Sequence, residues 1–435
     1  MDPVEAACRD HWGRLLAILV ARCRDLDLAE DALADAVEAA VRTWPAQGTP
    51  QEPAAWLFTV ARRRLVDLQR RRATEGRKLP LLALEESLAQ RCRERPAEDE
   101  ALDGDLPDER LALVLLCCHP ALAPEHQAAL ALRLGLGVST AEVARLFLVQ
   151  ETTMAARITR AKRRILTSAI PLALPDAGGL PERLEAAARA VHLAFSAGYA
   201  PGEGEDLLRV ELAGEAVRLA RILHEAAPAD PTARALLALL LLHHARRDAR
   251  VDAAGDLVLL GDQDRSLWHG DEIAAGLGLL QGPPPGSPFG AELVLQAQIA
   301  ALHATAPAPG ATDWPAIAER YRRLELLTGS PVVRLNRAVA VAEAEGPRAG
   351  LALLEDLDEH LPRNHRLPAV RAELLARSGR VRQALAALDN AVSLCHNHAE
   401  LRHLERRRAA LAPEDRDVVQ GAPPTASATL DPHAT

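Results

Sequence analysis

The stretch Ser139 to Leu166, STAEVARLFLVQETTMAARITRAKRRIL, carries two helical patterns separated by a short break. Ser139-Thr140-Ala141-Glu142 reads as a capping box, in which a serine accepts from the backbone three residues on and the glutamate reaches back. Val143, Leu146 and Phe147 then fall on one inward face. Beyond the break, Met154, Ile158, Ala161 and Ile165 recur at i, i+4, i+7 and i+11, which predicts a second helix over 151–166 with one apolar stripe. Gly135 and Gly137 separate this pair from a helix expected over 125–134. Capped helix, turn and second helix make a helix-turn-helix. The face opposite Met154 and Ile158 carries Thr152, Ala156, Thr159, Arg160 and Arg163, flanked by Arg157, Lys162 and Arg164. Small residues there let a helix approach base edges, and an arginine can bond guanine bidentately, worth roughly 1–3 kcal/mol of discrimination.

About a hundred residues earlier lies a second basic helix, Pro53 to Arg72, PAAWLFTVARRRLVDLQRRR. Proline suits its first turn. Leu57, Ala61, Leu65 and Leu68 form its core side, which turns Arg62, Arg63, Gln69 and Arg70 outward with Trp56 near Arg63. Arginines neutralise phosphates, and an indole beside them can stack on an unstacked base; a solvated charged face with Trp56 half-buried is the plainer reading. Before it, Asp27-Leu28-Ala29-Glu30 reads as a capping box with Asp27 as cap. Leu33, Val37, Val41 and Trp44 share one stripe, and Pro45 is expected to stop the helix.

The chain has 435 residues, so more than one core is expected. Hydrophobic residues make up 49% but aromatics only 3%, and the abundance of Ala and Leu favours helices packed on helices. The formal charge of −9 is unevenly spread: Trp56 to Lys78 holds eight Arg/Lys against two acids, whereas Pro80 to Arg110 holds four Arg against ten acids. The local stripe governs phosphate binding, and the acidic segment is placed to cover the basic faces when no partner is bound. No long charge-free apolar run and no basic-apolar leader occurs, so a soluble cytoplasmic protein with no membrane partner is expected. Cys8, Cys23, Cys92, Cys117, Cys118 and Cys395 lack framework or CxxC spacing; Cys117 and Cys118, inside LALVLLCC, read as buried free thiols.

Downstream, Ala/Leu helices are broken by Pro and Gly. Ala338 recurs as Ala372, Leu351 as Leu385 and Leu354 as Leu388, each 34 residues on, and Gly346 recurs as Gly379 after 33. Paired helices at this period have the tetratricopeptide signature. The expected layout is all-α: a helical domain over 1–78, an acidic linker over 79–106, the helix-turn-helix domain over 107–170, a tetratricopeptide-like extension over 180–411, and a disordered tail over 412–435.

Residues 5–170 resemble an extracytoplasmic-function sigma factor, the promoter-recognition subunit of bacterial RNA polymerase. Ala29-Glu30-Asp31-Ala32-Leu33 through Trp44-Pro45 resembles region 2.2, Pro53-Ala54-Ala55-Trp56-Leu57 through Arg62 and Asp67 resembles regions 2.3 and 2.4, and Ser139 to Ala144 with Thr153 to Arg163 resembles region 4.2. Phe195 to Tyr199 (FSAGY) and Leu259 to Trp268 (LLGDQDRSLW) resemble the subgroup with a tetratricopeptide-like extension. The resemblance implies as partners core RNA polymerase, through its β′ clamp and β flap, and promoter DNA. It implies core-enzyme contact at Leu33, Asp35 and Val37, −10 contact at Trp56, Arg62, Arg63 and Arg70, and −35 contact at Thr152, Thr153, Arg157, Arg160 and Arg163. The extension then stands as a modulator of activity, acting on the first two domains or on the polymerase.

Other clusters carry less. His243, His244 and Asp248 read as helix-surface groups; Cys395, His396, His398 and His403 lack a second ligand cluster, so no metal is assigned. Asp262-Gln263-Asp264-Arg265 reads as a loop stapled by internal ion pairs, or else a polar ligand or partner contact. No phosphate loop, Ser/His/Asp set or paired-carboxylate motif stands out, so neither catalysis nor a cofactor is expected. Two rivals remain: a regulator that binds an operator alone through 139–166, and a repeat scaffold without polymerase binding.

Overall fold

The computed structural model describes residues 3–76, 106–147, 149–168, 178–199, 210–252, 256 and 258–412. The expected acidic linker and tail fall, apart from residues 106 and 412, outside the described residues. Every regular element among the described residues is a helix or helical turn. The chain forms two compact units, residues 1–191 with 221–228, and residues 192–220 with 229–435.

In the first unit, α1 (Pro3–Cys23), α2 (Leu26–Gln47) and α3 (Pro53–Gly76) pack together. The start of α2 differs from the expectation. Asp25 is the cap, accepting from the Leu28 amide at 3.0 Å, and Asp27 lies in the first turn. Pro45 does not stop α2. The helix runs through it and ends at Gly48, whose φ of 87° is open to glycine. The inward stripe is Leu26, Ala29, Leu33, Ala36, Ala40 and Trp44, so Val37 is half-buried and Val41 is 52% exposed. Small alanines in that stripe let α1 and α3 approach closely.

The second lobe of this unit contains α4 (Leu106–Cys117), α5 (Pro124–Leu130), a π-turn (Ala131–Gly135), α6 (Thr140–Leu146) and α7 (Glu151–Thr167). The Ser139–Glu142 capping box is present with both reciprocal hydrogen bonds. Met154, Ile158, Ala161 and Ile165 are the buried stripe of α7, as their spacing demands. Val143 is fully buried and Phe147 half-buried. Cys117 and Cys118 are buried; burial pushes the Cys117 thiol well up and the Cys118 thiol up to about 12. Native alkylation at neutral pH is therefore expected to leave both unmodified until the lobe unfolds, as peptide mass spectrometry would read.

The lobes meet where α1 crosses the π-turn. Gly13 faces the Gly135 carbonyl so closely that a Cβ would overlap it. The Trp12 ring lies against Gly137, whose φ is 75°, and the Arg133 guanidinium sits 5.3 Å from the Trp12 ring centre.

Two helices, α8 (Leu180–Tyr199) and α9 (Val210–Ala226), have residues in both units. The second unit continues with α10 (Pro231–His244), α11 (Gly270–Leu279), α12 (Pro288–Thr305) and α13 (Trp314–Thr328). The run Leu236 to Leu242 is buried all round because α10 is covered by α11 and α12. Next come α14 (Pro331–Glu345), α15 (Pro347–Leu353), α16 (Leu357–His360), α17 (Arg366–Arg377), α18 (Val381–Leu394) and α19 (His398–Leu411). Ala338 and Ala372 are buried equivalents, as are Leu354 and Leu388, while Gly346 and Gly379 both take positive φ. Ion pairs join Glu343 to Arg377, Glu373 to Arg407 and Glu400 to Arg366, each 34 residues apart. The period is thus built into the charges as well as the core, and α19 occupies the place of a third first-helix.

Candidate nucleic-acid and polymerase interface

On α7, Thr152, Thr153, Arg160 and Arg163 are exposed and Arg157 is half-buried, opposite the stripe that holds the helix to α5 and α6. Four candidate groups therefore project freely from a helix fixed by its other side. Gln150 begins α7 without a side-chain cap, and its carbonyl accepts from the Thr153 and Met154 amides at 3.0 and 3.1 Å.

On α3, Arg62, Arg63 and Arg70 are exposed, with Leu57, Ala61 and Leu65 buried beneath. Trp56 is half-buried, its ring set edge-on to Trp44 at 5.5 Å and 70°. That T-shaped packing fixes the indole and leaves part of its surface open. Arg72 is turned back to Asp25, so it belongs to the cap of α2 as well as to the basic stripe.

The candidate contact helix α2 needs one correction. Leu33 is fully buried, so its side chain serves the core and cannot face a partner. Asp35 and Val37 are half-buried. The outward stripe is instead Asp27, Asp31, Ala34, Glu38 and Val41, at helical spacing on the far side from Leu33. Burial, then the neighbouring Glu30 and Asp27 carboxylates, raise the Asp31 carboxyl above its ordinary value. This acidic, partly apolar stripe was not singled out from the sequence, because Leu33 to Trp44 alone does not say which side of α2 faces its neighbours.

A link between the lobes was also missed. Lys162, on α7, reaches Asp27 at 2.9 Å and Glu30 at 2.5 Å, both on α2. Arg133 from the π-turn takes the other Glu30 oxygen at 2.5 Å. Glu30 is 8% exposed, so one nearly buried carboxylate is shared by two cations. Burial pulls the Lys162 ammonium down, but Glu30 and Asp27 outweigh it and hold it above its ordinary value.

The remaining clusters of the second unit resolve individually. His244 meets the Glu272 carboxylate at 3.0 Å, and Arg247 joins them at 2.9 Å. Burial pushes the Glu272 carboxyl up, yet His244 and Arg247 outweigh it and hold it below its ordinary value. His269 pairs with Asp248 at 2.7 Å, and His243 is buried beside Phe195. The Asp262–Arg265 loop is stapled, but by hydrogen bonds and ring contact in place of the expected ion pairs. Arg265 donates to the His303 and Ala306 carbonyls at 3.2 and 2.6 Å, and its guanidinium lies 4.5 Å from the Trp268 ring centre. Asp264 accepts from the Ser266 amide at 2.9 Å.

Two arginine-faced helices on adjoining lobes, the second in a helix-turn-helix, define a DNA-contacting transcription protein. The profile of Sigma-70 region 2 matches residues 8–75, and that of Sigma-70 region 4 matches residues 112–165. A family of unknown function, DUF6596, matches residues 183–282. An uncharacterized protein of Rhizobium meliloti (strain 1021) is 42% identical over 403 residues, covering 91% of this chain and 93% of its relative. The chain belongs to the extracytoplasmic-function sigma factors that carry a C-terminal helical extension. It is a transcription initiation factor that binds core RNA polymerase and promoter DNA, and is not an enzyme. No helix among the described residues is long and apolar enough to cross a membrane.

Proposed function

We propose that α7 reads the −35 element through Thr152, Thr153, Arg157, Arg160 and Arg163, and that α3 meets the −10 region through Trp56, Arg62, Arg63 and Arg70. In this reading α2 docks on the β′ clamp of the core enzyme with Asp35, Val37 and the outward stripe Asp31, Ala34, Glu38 and Val41, while Leu33 holds that stripe in place from within. The helix-turn-helix lobe takes the β flap. The helical extension modulates initiation by acting on the two lobes or on the polymerase. The observation that carries the reading is the clean division of α7, whose buried stripe is wholly apolar and whose opposite face is threonine and arginine. Threonine and arginine are groups that bond base edges and phosphates, and they project from a rigid support.

Run-off transcription with purified core enzyme on the gene's own upstream region is the test. Arg160→Ala and Arg163→Ala should each cost roughly 1–3 kcal/mol of promoter discrimination, about five- to 150-fold, read as the ratio of transcript from the promoter to that from a −35-mutated template. Truncation after Ser168 should change promoter-dependent yield. A full-length chain that drives no transcript with core enzyme sinks the assignment of contacts. An unchanged yield on truncation removes the modulatory role of the extension alone.

A further inference from the structure

His365 stands just before α17, Cys395 just after α18, and Glu400 in the first turn of α19. One imidazole nitrogen, the thiol sulfur and one carboxylate oxygen lie within 4.8 Å of one another. We propose that these three side chains form a binding site for a borderline-soft divalent cation of the zinc class, at the junction of two successive repeats.

The donor set fits that ion. Thiolate, imidazole and carboxylate are the ligands such a cation takes, and three protein ligands leave a fourth position for water. Cys395 is buried and held by the chain around it: its sulfur approaches the Asn397 carbonyl at 3.4 Å. Asn397, itself 1% exposed, caps α19 by accepting from the Ala399 and Glu400 amides at 3.1 Å each. The corner that carries the sulfur and the helix turn that carries the carboxylate are thus one rigid piece.

The two Glu400 oxygens have different neighbours. Oε1 accepts from Arg366 at 2.8 Å, while Oε2 faces His365 Nε2 at 2.7 Å. Nε2 is buried, and His365 and Arg366 together outweigh burial and hold the Glu400 carboxyl down to about 2. A cation would take the place of the proton between Nε2 and Oε2, the two atoms parting to roughly 3.3 Å to bond it at about 2.0–2.1 Å each, with Arg366 fixing the second oxygen and so selecting monodentate coordination. The His244–Glu272–Arg247 group has the same histidine, carboxylate and arginine but no sulfur, so the thiol of Cys395 is what sets the proposed site apart.

Binding forms a metal–sulfur bond and releases the thiol proton to solvent, so affinity falls as pH is lowered. The ion would tie the start of α17 to the α18–α19 corner and stabilise the extension in proportion to its occupancy. The inference concerns the extension alone and stands whether or not that extension modulates transcription.

The test is titration of the metal-free full-length chain with cobalt(II), then displacement by zinc. Expected are a near-ultraviolet thiolate-to-cobalt absorption band saturating at one equivalent, its loss on adding zinc, and a rise in melting temperature with zinc. Cys395→Ser should abolish the band while circular dichroism shows a folded chain. Glu400→Gln, which keeps the sulfur, should keep the band and weaken binding by about tenfold or more. If Cys395→Ser fails to fold, His365→Gln takes its place and should weaken binding likewise. The site is overturned by the absence of a band, by a band unchanged in Cys395→Ser, or by affinity unchanged in Glu400→Gln and His365→Gln.

Discussion

Replacing Ile158 by aspartate is expected to unfold the helix-turn-helix lobe. Ile158 is 6% exposed and sits between Met154, Ala161 and Ile165, all buried, where α7 packs on α5 and α6. A carboxylate there must either stay ionised in an apolar setting or take up a proton at neutral pH, and both are costly. The cation one turn on at i+4, Lys162, is already held by Asp27 and Glu30. The loss should reach about 4 kcal/mol or more, at the upper end for a single change. Amides of α6 and α7 should lose protection from hydrogen exchange, and −35-dependent transcription should vanish with them. A denaturant midpoint unchanged from that of the parent chain would refute the buried placement of α7.

Glu30→Ala is expected to have the next largest effect. It leaves Lys162 and Arg133, whose side chains are only 17% and 19% exposed, without the carboxylate they share. Removing one member of such a cluster costs about 3–5 kcal/mol when burial is complete, and less here where Asp27 and some water remain. The expected readouts are a lowered melting temperature and a longer distance between dyes placed on α3 and α7. The link also has a pH signature. The folded-state pKa of Lys162 lies above its ordinary value of 10.5, so its contribution is fully present below that value. It is lost as pH rises through the folded-state value. Glu30→Gln should flatten that alkaline dependence; an identical alkaline profile in parent and variant would show that Glu30 does not hold the ammonium.

The two arginine helices could be read from sequence because each is one strongly sided helix, and a 3.6-residue repeat of apolar groups determines both faces at once. Ser139 was legible as the cap because Glu142 stands three residues on to complete the box, whereas the adjoining Thr140 has Val143 at that distance. Asp25 and Asp27 are two residues apart and either can cap. The choice follows from tertiary contact, because Asp25 also receives Arg72 from α3. Pro45 misled for a related reason: one missing amide near a helix end is affordable when Gly48, with its positive φ, makes the actual exit. The resemblance implies core-enzyme contact at Leu33, but α2 packs against both α1 and α3, which widens its buried stripe and turns Leu33 inward. The Cys395 cluster was sought among sequence neighbours, whereas its partner His365 lies one repeat earlier. Applying the 34-residue period to Glu400 leads to Arg366, and so to the correct corner.

The Lys162 tie has a consequence for how the unassembled subunit responds to ionic conditions. While the ammonium rests between Asp27 and Glu30, α7 offers one cation fewer to a nucleic-acid backbone. Added electrolyte then acts in two opposing senses: it screens the arginine contacts, and it frees a lysine that can join them. Counterion release on binding is accordingly smaller than a tally of basic residues on that helix implies. Parting of the two lobes would return that charge to the nucleic-acid face.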